Sequence, residues 1–164
     1  MSTTMRMENF LVLLDQQTEL INALAQQETE LQEQVADRDW VAVERLVTEM
    51  TSVSEAISRI EENRNDLFLK IAAELGGGTE FPVVLSRMPE EFRARLSDRY
   101  RELKIAVLRL QSHTATMDAY LRSSLATSRG VLRELFPEQV TPVYSSDGQG
   151  SYHAGTALMV NSHH

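Results

Sequence analysis

Four histidines are the residues in this chain with the clearest potential for metal or acid–base chemistry. His113 lies in a segment of helical periodicity, whereas His153, His163 and His164 follow Pro137. No histidine stands in a Glu-x-x-His or His-Glu-x-x-His arrangement, so the patterns of di-metal carboxylate bundles and zinc proteases are missing. Cys is also absent from the sequence, which excludes disulfides and a cysteine nucleophile. We therefore expect no metal site and no cofactor.

Other catalytic patterns are equally weak. The three glycines Gly76, Gly77 and Gly78 resemble a phosphate-binding loop only in composition, because the Lys-Ser/Thr pair that such a loop needs is missing. No Gly-x-Ser-x-Gly nucleophile elbow occurs. A phosphoaccepting role for His113 is the remaining catalytic alternative, although its neighbours lack the lysine–glycine pair of such domains. We predict that the protein is not an enzyme.

The segments around these residues have the periodicity of long helices. No Gly or Pro precedes Gly76, and apolar residues recur every three or four positions, which predicts one helix over 5–36 and a second over 40–75. Asp37 or Asp39 can cap the start of the second helix. Because the connection is short, the two helices should form an antiparallel hairpin. Trp40, Leu46 and Val47 are predicted to belong to its apolar seam.

A third long helix is predicted after the glycines. Phe81–Met88 is expected to form a single helical turn, and Pro89-Glu90-Glu91 is a good helix start, so the third helix should span 89–135. At 1.5 Å per residue this helix is about 70 Å long, which exceeds either arm of the hairpin. Part of its apolar face should therefore overhang the hairpin, kink back or pack on something else. The predicted class is all-α, a coiled-coil-like bundle in a domain over 1–137.

The last segment, 138–164, differs in composition. It holds no Lys or Arg and is rich in Ser, Gly, His and Thr. We expect a C-terminal tail that is flexible or contains short strands around Ser146-Asp147-Gly148. Its spaced apolar residues suit folding onto a partner.

Charge is unevenly distributed along the chain. The net charge is −8 in total, with −9 in residues 1–75 and +3 in residues 76–137. An acidic first half argues against nucleic acid as the partner. The basic stretch from Arg93 to Lys104 is expected to face the acidic half of the same molecule. No apolar run is long enough to span a membrane and no basic leader is visible, so we expect a cytoplasmic protein without membrane insertion.

The order of these parts resembles the FlgN family of flagellar type III export chaperones over nearly the whole chain. The matching features are Glu28-Thr29-Glu30-Leu31 in the first helix, Glu61-Glu62-Asn63-Arg64 in the second, the entry through Pro89, Ser124-Leu125 in the third, and Tyr144-Ser145-Ser146-Asp147-Gly148 in the tail. Where the family often has Asn-x-x-Asn in its third helix, this chain has Thr114 and Met117.

The resemblance implies a function in flagellum assembly. Such proteins bind the C-terminal helical segments of hook–filament junction proteins of the FlgK/FlgL type, prevent premature assembly and deliver them to the export gate. The expected partner-binding residues are Met117, Leu121, Leu125, Val131, Leu132, Leu135, Val143 and Tyr144. The alternative is a self-associating structural coiled-coil or adaptor protein without export cargo. The sequence leaves monomer and homodimer open.

Overall fold

The computed structural model describes residues 1–135, which form four α-helices joined by short turns. The helices are α1 (Thr3–Ala36), α2 (Trp40–Glu74), α3 (Phe81–Ser86) and α4 (Glu90–Leu135). No β-strand occurs within residues 1–135. The predicted all-α class, with two long helices followed by a longer third one, is confirmed. The predicted flexible or short-stranded tail lies outside the described residues.

The chain divides into two compact units. The first is Met1–Met117, and the second begins at Asp118. The boundary falls inside α4. The predicted helical domain over 1–137 stays a prediction.

Helix starts are fixed by side-chain caps at the expected residue types. Ser2 Oγ accepts a hydrogen bond from the backbone N–H of Met5 at 3.3 Å, and Asp39 Oδ1 accepts one from the N–H of Ala42 at 3.1 Å. Between the first two helices, Arg38 adopts a left-handed conformation with φ of 58°. Of the two predicted capping residues, Asp39 therefore caps α2, because side-chain oxygens at this position satisfy N–H groups that have no partner within the helix.

The first two helices pack antiparallel within Met1–Met117. An ion pair joins Arg6 to Glu74, and the rings of Phe10 and Phe68 lie 6.3 Å apart between centroids. Both contacts connect the beginning of α1 to the end of α2, as the short connection at Arg38 requires. The predicted hairpin is confirmed.

Three glycines and α3 return the chain to the beginning of α1. Gly76, Gly77 and Gly78 have φ values of 103°, 78° and 97°, which lie in the left-handed region that glycine adopts without a steric penalty. They end α2, and Arg87 donates hydrogen bonds to the carbonyl oxygens of Leu75 and Gly77. The glycines therefore act as a helix stop.

As a result, α4 runs parallel to α1. Arg95 donates two hydrogen bonds to Glu8, at 2.6 and 2.8 Å, and Arg99 Nε lies 3.2 Å from Asp15 Oδ1. Further along both helices Arg109 donates to Asn22 Oδ1 at 3.2 Å. The expectation that the basic stretch faces the acidic half is confirmed for Arg95 and Arg99. Arg101 instead pairs with Asp98 of its own helix, at 3.9 Å.

The core of Met1–Met117 lies among α1, α2, α3 and the first part of α4. Its most deeply buried side chains are Phe10, Leu14, Ile21, Leu24, Ile71, Val84 and Leu96. An aromatic cluster closes one end of this core: the ring centroid of Phe81 lies 5.7 Å from that of Phe68 and 4.9 Å from that of Tyr100. Burial of each such side chain stabilises the fold by about 1.5–3 kcal/mol.

Burial of Tyr100 raises the pKa of its phenol, and the charge of Arg64, whose guanidinium carbon lies 5.9 Å from the ring centroid, opposes that shift. The phenol therefore stays neutral and suits an apolar environment.

Two residues predicted for the α2 seam are exposed. Trp40 is 61% exposed and Val47 48%, whereas Leu46 is buried. A residue advances about 100° around an α-helix, so the two three-residue steps from Leu46 through Val43 to Trp40 carry Trp40 about 120° from Leu46. Counting steps of three and four residues does not take this accumulated rotation into account, so the prediction that Trp40 belongs to the seam is wrong.

Shortening a core side chain of α1 should destabilise the protein. Leu14 is fully buried, and Leu14→Ala removes its contacts and leaves a cavity, so we expect a loss of about 2–5 kcal/mol in the free energy of unfolding. Val12, on the same helix, is 51% exposed, and Val12→Ala should change it by less than about 0.5 kcal/mol. Urea denaturation followed by circular dichroism measures both. Equal losses in the two variants would contradict this placement of the core.

The parallel pairing of α1 with α4 can be tested by exchanging charges. The guanidinium of Arg95 hydrogen-bonds Glu8 and holds the pKa of that carboxyl below its usual value. The Glu8–Arg95 pair therefore stabilises the folded state above the unfolded-state pKa of Glu8. This stabilisation is lost as pH falls through the lower folded-state pKa. We expect Glu8→Arg and Arg95→Glu each to lower the thermal midpoint at neutral pH, and the double exchange to recover part of the loss. Two additive losses in the double variant would argue against direct pairing.

Candidate partner-binding surface

The part of α4 that belongs to the second unit carries an apolar stripe with coiled-coil spacing. Leu121, Leu125, Ser128, Leu132 and Leu135 are separated alternately by four and three residues. We call these five residues the α4 seam. This spacing keeps side chains on one face of a helix and corresponds to heptad positions d, a, d, a and d. Four of the five positions hold leucine.

The leucines of the α4 seam are exposed. Their exposed fractions lie between 40% for Leu121 and 65% for Leu135, and neighbouring Val131 is 49% exposed. Met117, which was predicted for the same surface, is buried with 7% exposure. Of the eight predicted partner-binding residues, the structure therefore places five on an exposed helix face and one in a buried position. The other two, Val143 and Tyr144, lie outside the described residues.

A glycine lies on the face of α4 opposite the seam. Gly130 occupies heptad position f, which points away from the seam. A Cβ added to Gly130 would meet no atom within 4 Å, so close packing does not explain the glycine.

A polar cluster lies between α1 and α4 within Met1–Met117. Thr114 Oγ1 donates a hydrogen bond to Glu28 Oε1 at 2.8 Å, and Thr29 Oγ1 lies 3.1 Å from His113 Nδ1. Glu28 Oε2 is buried without a hydrogen-bond partner. Burial raises the pKa of the Glu28 carboxyl, and the Thr114 hydrogen bond and the charge of His113 oppose this effect. The cluster joins the two helices but leaves one carboxylate oxygen unsatisfied.

The residue pattern alone points to the members of this cluster only separately. Glu28 and Thr29 belong to a motif that resembles a known family, Thr114 stands where that family often has Asn, and His113 is the catalytic alternative. Nothing in the sequence indicates that α1 and α4 run parallel in the register that brings these residues together. Thr29 Oγ1 thus gives His113 Nδ1 a hydrogen-bonding role between α1 and α4.

Within residues 1–135, no group of three or more His, Cys, Asp or Glu side chains is arranged to hold a metal ion. None of the helices in the same residues is both long and apolar enough to cross a membrane.

The architecture and the exposed seam define a class: an all-helical protein that presents a leucine face suited to packing against another helix. Comparison with known proteins gives the family. The family model described as FlgN protein matches residues 5–151, and the chain belongs to the FlgN family. No curated protein and no solved structure matches significantly. FlgN proteins are chaperones of flagellar export, and the predicted family and its role in flagellum assembly are confirmed at this level.

The raised pKa of Glu28 predicts a pH-dependent effect of one substitution. The folded state holds this proton more tightly than the unfolded state, so Glu28 costs stability above its raised pKa, and the cost disappears as pH falls below the unfolded-state value, about 4.3. Glu28→Gln keeps an acceptor for Thr114 without the charge. We expect this variant to unfold at a higher temperature than the unsubstituted protein at pH 7, with the difference shrinking towards pH 4.

The control is Glu30→Gln, which makes the same change at an exposed position of α1. Thermal unfolding of the three proteins should be followed at several pH values. A Glu28→Gln variant that is less stable at pH 7, by an amount that does not vary with pH, would show that the carboxylate stabilises the cluster.

Proposed function

We propose that this protein is a cytoplasmic chaperone for hook–filament junction proteins of the FlgK/FlgL type. It binds their C-terminal helical segments, prevents them from assembling early and delivers them to the flagellar export gate. Membership of the FlgN family supports the general role. The observation that carries the cargo assignment is the exposed α4 seam, where four leucines share one helix face at heptad spacing.

The α4 seam can bind such a segment by helix packing. A subunit whose terminal helices later join a coiled bundle exposes an apolar stripe beforehand, and a second stripe of the same spacing can cover it with side chains inserted between those of the partner. The four leucines are between 40% and 65% exposed, so burying the rest of their surface would contribute about half of the full value, roughly 3–6 kcal/mol in total, before the entropic cost of association is subtracted. That cost is at least about 4 kcal/mol, so the four leucines alone give little net affinity, and the apolar side chains of the partner helix must contribute as well.

The proposed contact residues are Leu121, Leu125, Val131, Leu132 and Leu135, with Val143 and Tyr144 contributing from the tail. Met117 remains part of the proposal, but its buried side chain would have to change its packing in order to touch a cargo helix. The proposed surface therefore begins in practice at Leu121.

A self-associating coiled-coil protein is the second candidate function. The observation that favours it is the heptad spacing of the α4 seam, which a second copy of the chain could match equally well. It predicts a stable oligomer and no cargo complex.

Size-exclusion chromatography with light scattering distinguishes the two candidates. The full-length protein and a version that ends at Pro137 are run alone and with a C-terminal fragment of a hook–filament junction protein. We expect a one-to-one complex that weakens on truncation. The double variant Leu125→Asp, Leu132→Asp should abolish it, because charges would be buried in the interface.

The matched control is Val12→Asp with Val41→Asp, which makes the same change at two exposed valines of α1 and α2 and should leave the complex intact. A stable oligomer of the protein alone that forms no cargo complex in either length would overturn the chaperone assignment.

A further inference from the structure

Arginine side chains line one flank of the α4 seam. Arg122 and Arg129 lie seven residues apart, directly after Leu121 and Ser128, and both occupy heptad position e. Arg122 is 79% exposed at its side chain and pairs with Asp118 of the same helix at 3.0 Å. Arg133 follows four residues after Arg129 on the same side. Residues at position e border the seam and meet the charged positions of a partner helix.

On the other flank of the α4 seam, no residue between 121 and 135 that borders the seam directly is charged, and the charge further out is Glu134 at position c. The g positions on this flank hold Ser124 and Val131. Positive charge beside the seam is therefore confined to one side, where it favours acidic side chains on a partner. Flanking pairs of this kind set the choice of partner and its orientation more than they set the total affinity.

The packing of α4 on α1 within Met1–Met117 shows that this chain already uses such a pairing. Glu8 and Asp15 lie seven residues apart on α1, beside the apolar side chains that form the core. Glu8 accepts two hydrogen bonds from Arg95, and Asp15 lies 3.2 Å from Arg99. Carboxylates at heptad spacing are thus matched by arginines that border the apolar face of α4.

We infer that the α4 seam selects a single amphipathic helix whose apolar stripe is flanked by acidic residues at heptad spacing, where they meet Arg122 and Arg129. The inference rests on the proposed function, since it states which property of a cargo segment the chaperone recognises. The proposed partner is a helix of another protein with acidic flanks. The experiment below distinguishes this partner from a second copy of the chain.

Two synthetic helical peptides test the selectivity. Each has about 28 residues, or four heptads, with identical leucine and isoleucine seams. One carries Glu at every e and g position and the other carries Lys, so either orientation of binding is sampled. Isothermal titration calorimetry with the full-length protein should show that the Glu peptide binds roughly tenfold more tightly in about 20 mM salt. The preference should shrink in about 500 mM salt, because exposed charges are screened.

Charge reversal supplies the specific variant. In Arg122→Glu with Arg129→Glu the preference should change sign, so that the Lys peptide binds more tightly. The matched control is Arg45→Glu with Arg59→Glu on α2. It changes the net charge equally, and Arg45 pairs with Glu49 four residues along its own helix, as Arg122 pairs with Asp118. The control variant should keep the preference of the unsubstituted protein for the Glu peptide.

Equal binding of the two peptides, or a preference that reverses in the control variant as well, would overturn the inference. A dimer of this protein that the Glu peptide does not dissociate, as measured by light scattering, would also overturn it.

The junction-protein fragment is titrated in parallel. Binding of the Glu peptide without binding of the fragment would support the inference while removing the cargo assignment. Binding of the fragment with no peptide preference would overturn the inference alone.

Discussion

The apolar face of α1 has to be covered from two sides at once, and the arrangement of Met1–Met117 depends on that requirement. Phe10, Leu14, Ile21 and Leu24 are each at most 1% exposed, which a single neighbouring helix cannot achieve for a stripe of this width. The antiparallel α2 covers one side, and α4 covers the other. Because α2 returns the chain to the beginning of α1, only a reversal at the glycines lets α4 start there and run parallel to α1.

The same periodicity serves two purposes along α4. As far as Met117 its apolar positions are buried in the first unit, with Leu96 fully enclosed. From Leu121 onward the spacing continues, but the leucines are exposed. The polar cluster of Glu28, Thr29, His113 and Thr114 lies at the far end of the α1–α4 contacts that were described above. One helix therefore combines a structural segment with a segment whose apolar face is available to a partner.

The sequence predicts elements better than it predicts neighbours. The helix bounds, the cap at Asp39 and the stop at the three glycines follow from local chemistry, so they could be read from the residues. The association of Glu28 with Thr114 depends on the relative register of two helices that are distant in the sequence, and no local signal encodes it. Trp40 shows the limit within one helix, since its assignment to the seam failed through an accumulated rotation of about 120°.

The sequence also does not show whether the α4 seam is buried or exposed, because an apolar stripe has the same periodicity in both cases. The sequence identified the leucines as a candidate surface through their spacing and through the resemblance to FlgN proteins. Only the structure separates Met117 from Leu121, although the two lie four residues apart on neighbouring turns of α4.

The parallel pairing of α1 with α4 has a consequence for biosynthesis. The residues that it joins are 84 to 87 positions apart, while every partner of α1 on α2 is made earlier. At ribosomal rates of about 5–20 residues per second, roughly 4–17 s pass between the synthesis of Glu8 and that of Arg95. The hairpin is complete only when Glu74 has been made, 21 residues before Arg95. For about 1–4 s at those rates, the side of α1 that α4 later covers is therefore exposed in the finished hairpin. A chaperone of flagellar export therefore begins its own existence with an apolar helix face exposed to the cell.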